Sequence, residues 1–297
     1  MHQYISAQDF SYCQRLFHGR GHAYEGLSHV NVDWYPPVVV IILYSEVEDT
    51  WLHHQANWLS KNITGCKSVL VQRRYLSMSP TEHILGEEVR ATVVKEGSLK
   101  FNIDLSNAQN SGLFLDMANG RAWLNQHAEG KNVLNLFAYT CAFSVAAIAG
   151  GAKQVVNVDI SKSSLAKGRE NHRLNDHNLE RVKFQGVDIF KSYSRLKKFG
   201  PYDILVCDPP SFQKGSVDIA RDYKKIIKRI PALVKPGGQL LLCLNSPDLD
   251  EAFLLQEVAR ECADCQFIEK LDNPNVYKEA HQGKGLKVLL FHYSPKC

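Results

Sequence analysis

Three carboxylates follow runs of strand-forming residues. Asp159 closes QVVNVD, Asp188 follows VKFQ in FQGVDIF, and Asp208 opens Asp208-Pro209-Pro210-Ser211-Phe212 directly after YDILVC. In open α/β sheets, ligands bind beyond the carboxyl ends of the strands, so groups at successive strand ends converge on one crevice. An acidic residue ending a second strand can accept hydrogen bonds from both hydroxyls of a ribose, which suits Asp159 to a nucleoside cofactor. The same Asp could instead cap the helix announced by Ser161. Asp188 has two readings of the same kind, as acceptor for an adenine amino group or as cap of a helix beginning at Phe190. At Asp208 two prolines hold the backbone in an extended bend, so a carboxylate and an aromatic ring project into one cleft. There Asp208 and nearby carbonyls could meet a base amino or ring nitrogen, and Phe212 could stack on a flipped base. A plain structural turn is the other reading of this bend.

The elements that must position these groups are visible from Phe114 onward, where short β-rich runs alternate with longer helical patterns. That alternation predicts βαβ units and a doubly wound, mainly parallel α/β sheet. Strands are expected over 132–137, 154–159, 182–185, 202–207 and 239–245, with a late one over 286–293. Most are apolar almost throughout, as strands covered on both faces must be. Helices are expected over 142–149, 161–175, 190–199, 217–234 and 249–263, with Ser161 as a cap and Gly150-Gly151 as a stop. Pro236-Gly237-Gly238 should turn the fourth helix into its strand. The first hundred residues read as α+β, with a strand pair broken by Pro36-Pro37, a helix over 51–62 and strands over 68–73 and 89–94. The charged stretch 82–100 reads as a solvated hairpin. A boundary near Ser106 gives a smaller N-terminal domain, 1–105, with substrate recognition as its expected role, and a larger one, 106–297.

Composition bounds the rest. The chain has 297 residues, of which 44% are hydrophobic, enough to bury a sizeable core without staples. The longest apolar run, 38–44, is far short of the ~20 residues a membrane span requires, and the N-terminus lacks the charged-then-apolar pattern of a secretory signal. A cytoplasmic protein without a membrane partner is expected. The eight cysteines are scattered, which predicts free thiols. Only Cys262 and Cys265 form a C-x-x-C, in an expected helix with no second ligand pair nearby, so no metal is expected. A net charge of +4 permits a polyanionic partner without requiring one. The oligomeric state stays open, a homodimer being one option.

From Gly112 to His292 the chain resembles the bacterial large-subunit ribosomal RNA methyltransferases that make 5-methylcytosine and 7-methylguanine. The resemblance is carried by GLFLD, NLFAYT, NVDIS, ENHRLN, DPPSF and RDYK, and in the N-terminal part by RLFHGRGHAYEGL and VDWYP. The RNA-binding PUA domain that opens those enzymes has no counterpart here. The resemblance implies a seven-stranded Rossmann-like domain of the class I type, S-adenosyl-L-methionine (AdoMet) as cofactor and RNA, ribosomal RNA in particular, as partner. It implies that loop 137–140 wraps the methionine part of AdoMet, Asp159 holds the ribose, Asp188 the adenine, and Asp208 lies beside the transferred methyl. The candidate cofactor set is then Asp116, Asn135, Phe137, Ala138, Tyr139, Thr140, Asp159, Ile160, Asp188, Ile189 and Asp208. Two positions depart from the family pattern. Cys141 stands where the family has Gly, and Ala118 where it has an Arg, whose loss implies one cofactor contact fewer.

Making 5-methylcytosine requires a cysteine thiolate that adds to C6 of the ring. In the 5-methylcytosine relatives it lies at the end of the fifth strand, where this chain has Asn245, as the 7-methylguanine relatives do. Cys243 and Cys207 fall elsewhere and read as buried core. Direct in-line transfer to a base nitrogen is therefore favoured over cytosine C5, with positioning supplying most of the acceleration. Asp208, Pro209, Pro210, Phe212 and Asn245 form the candidate catalytic set, and Lys214, Arg221, Tyr223 and Lys224 the candidate substrate contacts. Arg221, Lys225, Lys228 and Arg229 share one side of the helix expected over 217–234, either as an RNA-facing stripe or as a solvated face. A methyltransferase for a small molecule or protein and a silent AdoMet-fold binding module remain alternatives. A NAD-dependent oxidoreductase is disfavoured, since FAYTCAF has no G-x-G-x-x-G.

Overall fold

The computed structural model describes residues 1–5, 9–106, 110–210, 212–213, 217–281 and 283–296, with the backbone alone for 212, 213 and 217. It divides into two units, Met1–Asp116 with Pro274–Gln282, and Met117–Asn273 with Gly283–Cys297.

The first unit is built on a five-stranded sheet in the order β1 (Gln14–His18), β2 (Val30–Tyr35), β3 (Val38–Leu43), β4 (Ser68–Arg73), β5 (Thr81–Gly86). Neighbours are antiparallel except β3 and β4, which run parallel and are joined through α1 (Asp49–Asn62). Alternation along the strands puts Val39, Ile41 and Leu43 with Val69 and Val71 against Leu52, Ala56 and Leu59 of α1. A two-stranded hairpin, β6 (Ala91–Glu96) and β7 (Leu99–Asp104), follows. Segment Pro274–Gln282 completes this unit. Tyr277 lies against Arg15 and His18, at 5.0 and 4.9 Å, and Ala280 N–H donates to Gly21 O at 2.7 Å.

The second unit holds α2 (Ala118–His127), β8 (Asn132–Leu136), α3 (Ala142–Ala149), β9 (Gln154–Asp159), α4 (Lys162–Leu174), β10 (Val182–Gly186), α5 (Tyr193–Lys197) and β11 (Tyr202–Cys207). There follow β12 (Phe212–Gln213), β13 (Val217–Asp218), α6 (Ile219–Ile227), α7 (Ile230–Leu233), β14 (Val234–Leu244), α8 (Glu251–Glu261), β15 (Cys265–Leu271) and β16 (Lys287–Tyr293). Seven strands form one sheet, ordered β10-β9-β8-β11-β14-β16-β15, in which β16 runs antiparallel to both neighbours and the first five are parallel. The apolar strands are explained by burial on both faces. Leu134, Val156, Leu205 and Leu242 pack with α6 to α8, while Val133, Val155, Val206 and Leu241 pack with α2 and α3. Strand order reverses between β8 and β11, which sets a crevice at their carboxyl ends.

The structure corrects several expected elements. The helix over 217–234 is two, because Pro231, near the start of α7, cannot continue α6. Residues 190–199 form a short 3-10 turn and then α5. Pro236-Gly237-Gly238 is a bulge inside β14, since Tyr202 pairs with Val234 and Ile204 with Gln239. Cys262 follows α8 and Cys265 opens β15, so neither cysteine of the C-x-x-C lies in a helix. No helix among the described residues is long and apolar enough to cross a membrane.

Candidate active site

The loop after β8 carries three non-glycine residues in the left-handed region, Phe137 (φ 58°), Tyr139 (φ 46°) and Cys141 (φ 62°). Each such residue costs about 1–2 kcal/mol, so neighbours must hold the loop. Ala138 N–H donates to Val158 O (3.0 Å), Tyr139 N–H to Asp159 Oδ2 (2.8 Å) and Cys141 N–H to Ala138 O (2.7 Å). From α4, buried Asn171 donates its amide to Thr140 O at 3.1 Å. Ala138 and Thr140 are buried; Phe137 and Tyr139 are half-buried, and the Phe137 ring lies 6.5 Å from that of Phe190.

Cys141 sits in left-handed backbone that favours glycine, the residue the resemblance implies at this position. Its side chain fits because α4 offers Gly168, whose missing Cβ would overlap the Cys141 sulfur. Burial, with the Asp159 charge beside it, pushes the Cys141 thiol far up, away from nucleophilic use.

Asp159 ends β9, and the cap function falls to Ser161, whose Oγ accepts from Ser164 N–H. Asp159 Oδ1 accepts from Ser161 N–H and Oδ2 from Tyr139 N–H, both at 2.8 Å. A carboxylate has about four acceptor sites, so these two bonds orient it and leave capacity for a diol. Ile160 beside it is 51% exposed, whereas Ile189 is buried. Asp188 does cap, accepting Phe190 N–H at 2.8 Å at the start of the 3-10 turn Ile189–Lys191, and stays half-exposed.

Two expected contacts are corrected. Asn135 is buried on the α3 face of the sheet and donates to Asn157 Oδ1 at 2.9 Å. Asn157 donates in turn to Ser144 Oγ, which lies 2.9 Å from His172 Nε2, and His172 Nδ1 lies 3.0 Å from His177 Nδ1. Asn135 thus ties β8 to β9 rather than reaching the crevice. A neutral His172 completes this chain, one ring nitrogen donating and the other accepting. Burial agrees, holding His172 down to about 3. Tyr223 is likewise no substrate contact. It is buried, with its hydroxyl 3.0 Å from Cys243 O and 3.4 Å from Cys207 O, bracing β11 and β14 just before their ends.

At those ends, Asp208 and Pro210 are half-buried, Pro209 is buried, and Asn245 is exposed. Ser211 and Lys214 lie outside the described residues, and Phe212 is placed by its backbone alone, pairing with Asp218. The basic stripe of α6 is largely paired. Arg221 holds buried Asp222 through two hydrogen bonds at 2.7 and 3.0 Å, and Lys225 meets it at 2.7 Å. The Arg221 guanidinium holds the Asp222 carboxyl far below the usual range. Lys228 pairs with Glu261 at 3.1 Å, and Arg229 covers the Tyr193 ring. Lys224 is half-buried. Asp116 ends the first unit, half-buried in the turn Leu115–Met117.

Sequence reasoning missed Asn171, which holds the loop, and Lys287, a lone cation in apolar KVLLFHY. That lone Lys was the available signal.

The family described as S-adenosylmethionine-dependent methyltransferase matches residues 14–292. The chain is 30% identical over 262 residues to ribosomal RNA large subunit methyltransferase I of Shewanella amazonensis, covering 83% of this chain and 66% of that relative. It therefore spans about two thirds of that relative's length. Among solved structures, SMU.776, a methyltransferase complexed with SAH, superposes with a TM-score of 0.86 at 24% identity, over 96% of this chain and 76% of that one. A tRNA m1G37 methyltransferase of M. jannaschii shares the fold, with a TM-score of 0.62 at 20% identity, covering 89% of this chain and 72% of that one. The chain belongs to the S-adenosylmethionine-dependent methyltransferases.

Proposed function

We propose that this chain methylates RNA, ribosomal RNA being the favoured substrate, at a base nitrogen rather than at cytosine C5. The observation that carries the choice of atom is the end of β14, where Asn245 is exposed while the thiols nearest the strand ends among the described residues are buried. Cys207 and Cys243 are wholly buried on their strands, and burial pushes the Cys207 thiol far up.

The residues present fit AdoMet. The oriented Asp159 carboxylate suits its ribose, exposed Ile160 and the turn at Asp188 and Ile189 suit its adenine, and loop 137–140 suits its methionine part. Asp116 is a further candidate for the cofactor in this reading. When bound, AdoMet supplies an electrophilic methyl group on a sulfonium. Asp208, Pro209, Pro210 and Phe212 then form the acceptor side, with Asp208 taking a hydrogen bond or proton from the base and Asn245 orienting it. Lys214, Arg221 and Lys224 are the remaining candidate contacts to RNA. The N-terminal unit serves substrate recognition, and a cytoplasmic location follows from an RNA substrate of this kind. The paired α6 stripe is the observation that favours the second reading, a smaller or less anionic substrate.

The test is transfer of labelled methyl from AdoMet to ribosomal RNA from cells lacking this protein, followed by nucleoside mapping. A nitrogen-methylated nucleoside is expected. Label in 5-methylcytosine would overturn the choice of atom, and no label in RNA would overturn the substrate.

A further inference from the structure

Lys287 opens β16 opposite Leu244, the last residue of β14, within a strand whose next four residues are buried and apolar. It is 1% exposed. A buried ammonium is costly unless its protons are taken up, so its partners mark what it is there to hold. Nζ donates to Ser246 O and to Leu249 O, each at 2.6 Å. Both carbonyls belong to the loop between β14 and α8, the loop that begins at Asn245. Exposed Lys284 adds a third bond, donating to Pro247 O at 2.8 Å. At its far side the loop is fixed by Asp250, which caps α8 by accepting from Phe253 N–H.

The carbonyls of 246, 247 and 249 therefore turn toward two lysines on one short segment. A loop without secondary structure acquires a single conformation from those bonds. Its first residue, Asn245, carries the side chain assigned to the acceptor base. We infer that Lys287, assisted by Lys284, is a positioning residue for the acceptor side of methyl transfer, acting through Asn245. This rests on the function proposed above. In this arrangement Lys287 acts at one remove from the base, its ammonium fixing the backbone from which Asn245 projects. The loop follows β14, whereas loop 137–140 follows β8, Asp159 ends β9 and Asp188 follows β10, so losing the ammonium should disturb the acceptor and spare the cofactor.

Lys287→Met keeps the stem and removes the donors. Methyl transfer to RNA at saturating AdoMet should fall on the order of ten- to a hundredfold, the scale of a small misplacement of a reacting group. AdoMet affinity by calorimetry should stay within about twofold. Lys284→Ala, at an exposed site, should lower the same rate about two- to fivefold, and it carries the test if Lys287→Met does not fold. The decisive readout is a double-mutant cycle with Asn245→Ala. If the lysines act through Asn245, neither lysine variant slows the Asn245→Ala enzyme further. Effects that multiply independently, or an AdoMet affinity that falls along with the rate, would overturn the inference in favour of a purely structural lysine. Absence of RNA methylation by the unaltered chain is a separate outcome, which ends the functional reading and this inference together.

Discussion

At the scale of single residues, the proposed function assigns two strand-end carboxylates, one ending β9 and one following β11, to binding and to turnover respectively. Asp159 has both oxygens oriented by backbone N–H groups, which sets it up before any ligand arrives. Asp159→Ala removes charge-assisted bonds worth about 1.5–3 kcal/mol each and should weaken AdoMet binding at least about tenfold. Unchanged affinity in a calorimetric titration would remove Asp159 from the cofactor site. Asp208, half-buried at the end of β11, faces the acceptor in the proposed arrangement. Asp208→Ala should leave AdoMet affinity within a few-fold while cutting the rate on the order of a hundredfold. A variant with normal turnover would cancel its catalytic role. The strand-end carboxylates were legible because an Asp closing an apolar run has few uses. Asn135 and Tyr223 misled because a polar residue in a motif looks the same whether it faces a ligand or satisfies its neighbours inside.

At the scale of elements, α4 helps to hold loop 137–140, the loop proposed for the cofactor, at a distance tight enough to exclude one methyl group. A Cβ on Gly168 would overlap the Cys141 sulfur and come within 3.2 Å of the Thr140 carbonyl carbon. Gly168→Ala should therefore displace the loop and lower AdoMet affinity, despite the ~1 kcal/mol that Ala gains over Gly in a helix. Adding Cys141→Gly removes the colliding side chain and supplies the residue that φ 62° prefers, so the double variant should regain most of the affinity. A double variant as weak as Gly168→Ala would show that the clash is not the cause.

The same helix carries His172 into the buried chain with Ser144, Asn157 and Asn135. Burial holds its folded-state value down to about 3, against about 6.5 for an unfolded His. The unfolded state thus binds more protons between those values, so the contribution of this His turns against folding as pH falls from about 6.5 toward 3. His172→Gln should flatten that part of the melting-temperature profile relative to the unaltered chain. Identical slopes from pH 7 to 4 would place the acid sensitivity elsewhere. None of this network is readable from ENHRLN, since helical spacing shows which face a residue occupies but not that β8, β9 and α3 bury their polar groups against it.

At the scale of the whole molecule, the parallel sheet was legible because strands buried on both faces lose alternation and become unbroken apolar runs. β15 was not, for the complementary reason: five of its seven residues are exposed at the sheet edge, so CQFIEKL has no apolar periodicity to mark it. Nor does sequence show that Pro274–Gln282, lying between two strands of the second unit, belongs to the first. There Arg15 pairs with Asp33 at 2.6 Å and donates to His18 Nδ1 at 2.9 Å, and Glu279 lies 3.3 Å from His18 Nε2. Since the guanidinium is always a donor, His18 accepts at Nδ1 and offers its Nε2 proton to Glu279. Tyr277 covers both Arg15 and His18, and Gly21 has no room for a Cβ beneath the Lys278 carbonyl. A fragment ending at Asp116 would leave this ionic group uncovered, and a contiguous cut of the chain therefore does not yield the complete unit. Fragment 1–116 should melt at least about 5 °C below the same fragment joined through a flexible linker to residues 274–282, the shift expected when about 1 kcal/mol is lost from a domain of this size. Glu279→Gln in the linked form should recover only part of the gain, because the Tyr277 cover and the Ala280 bond remain. Equal melting temperatures for the two fragments would show that the segment rests on the first unit without stabilising it.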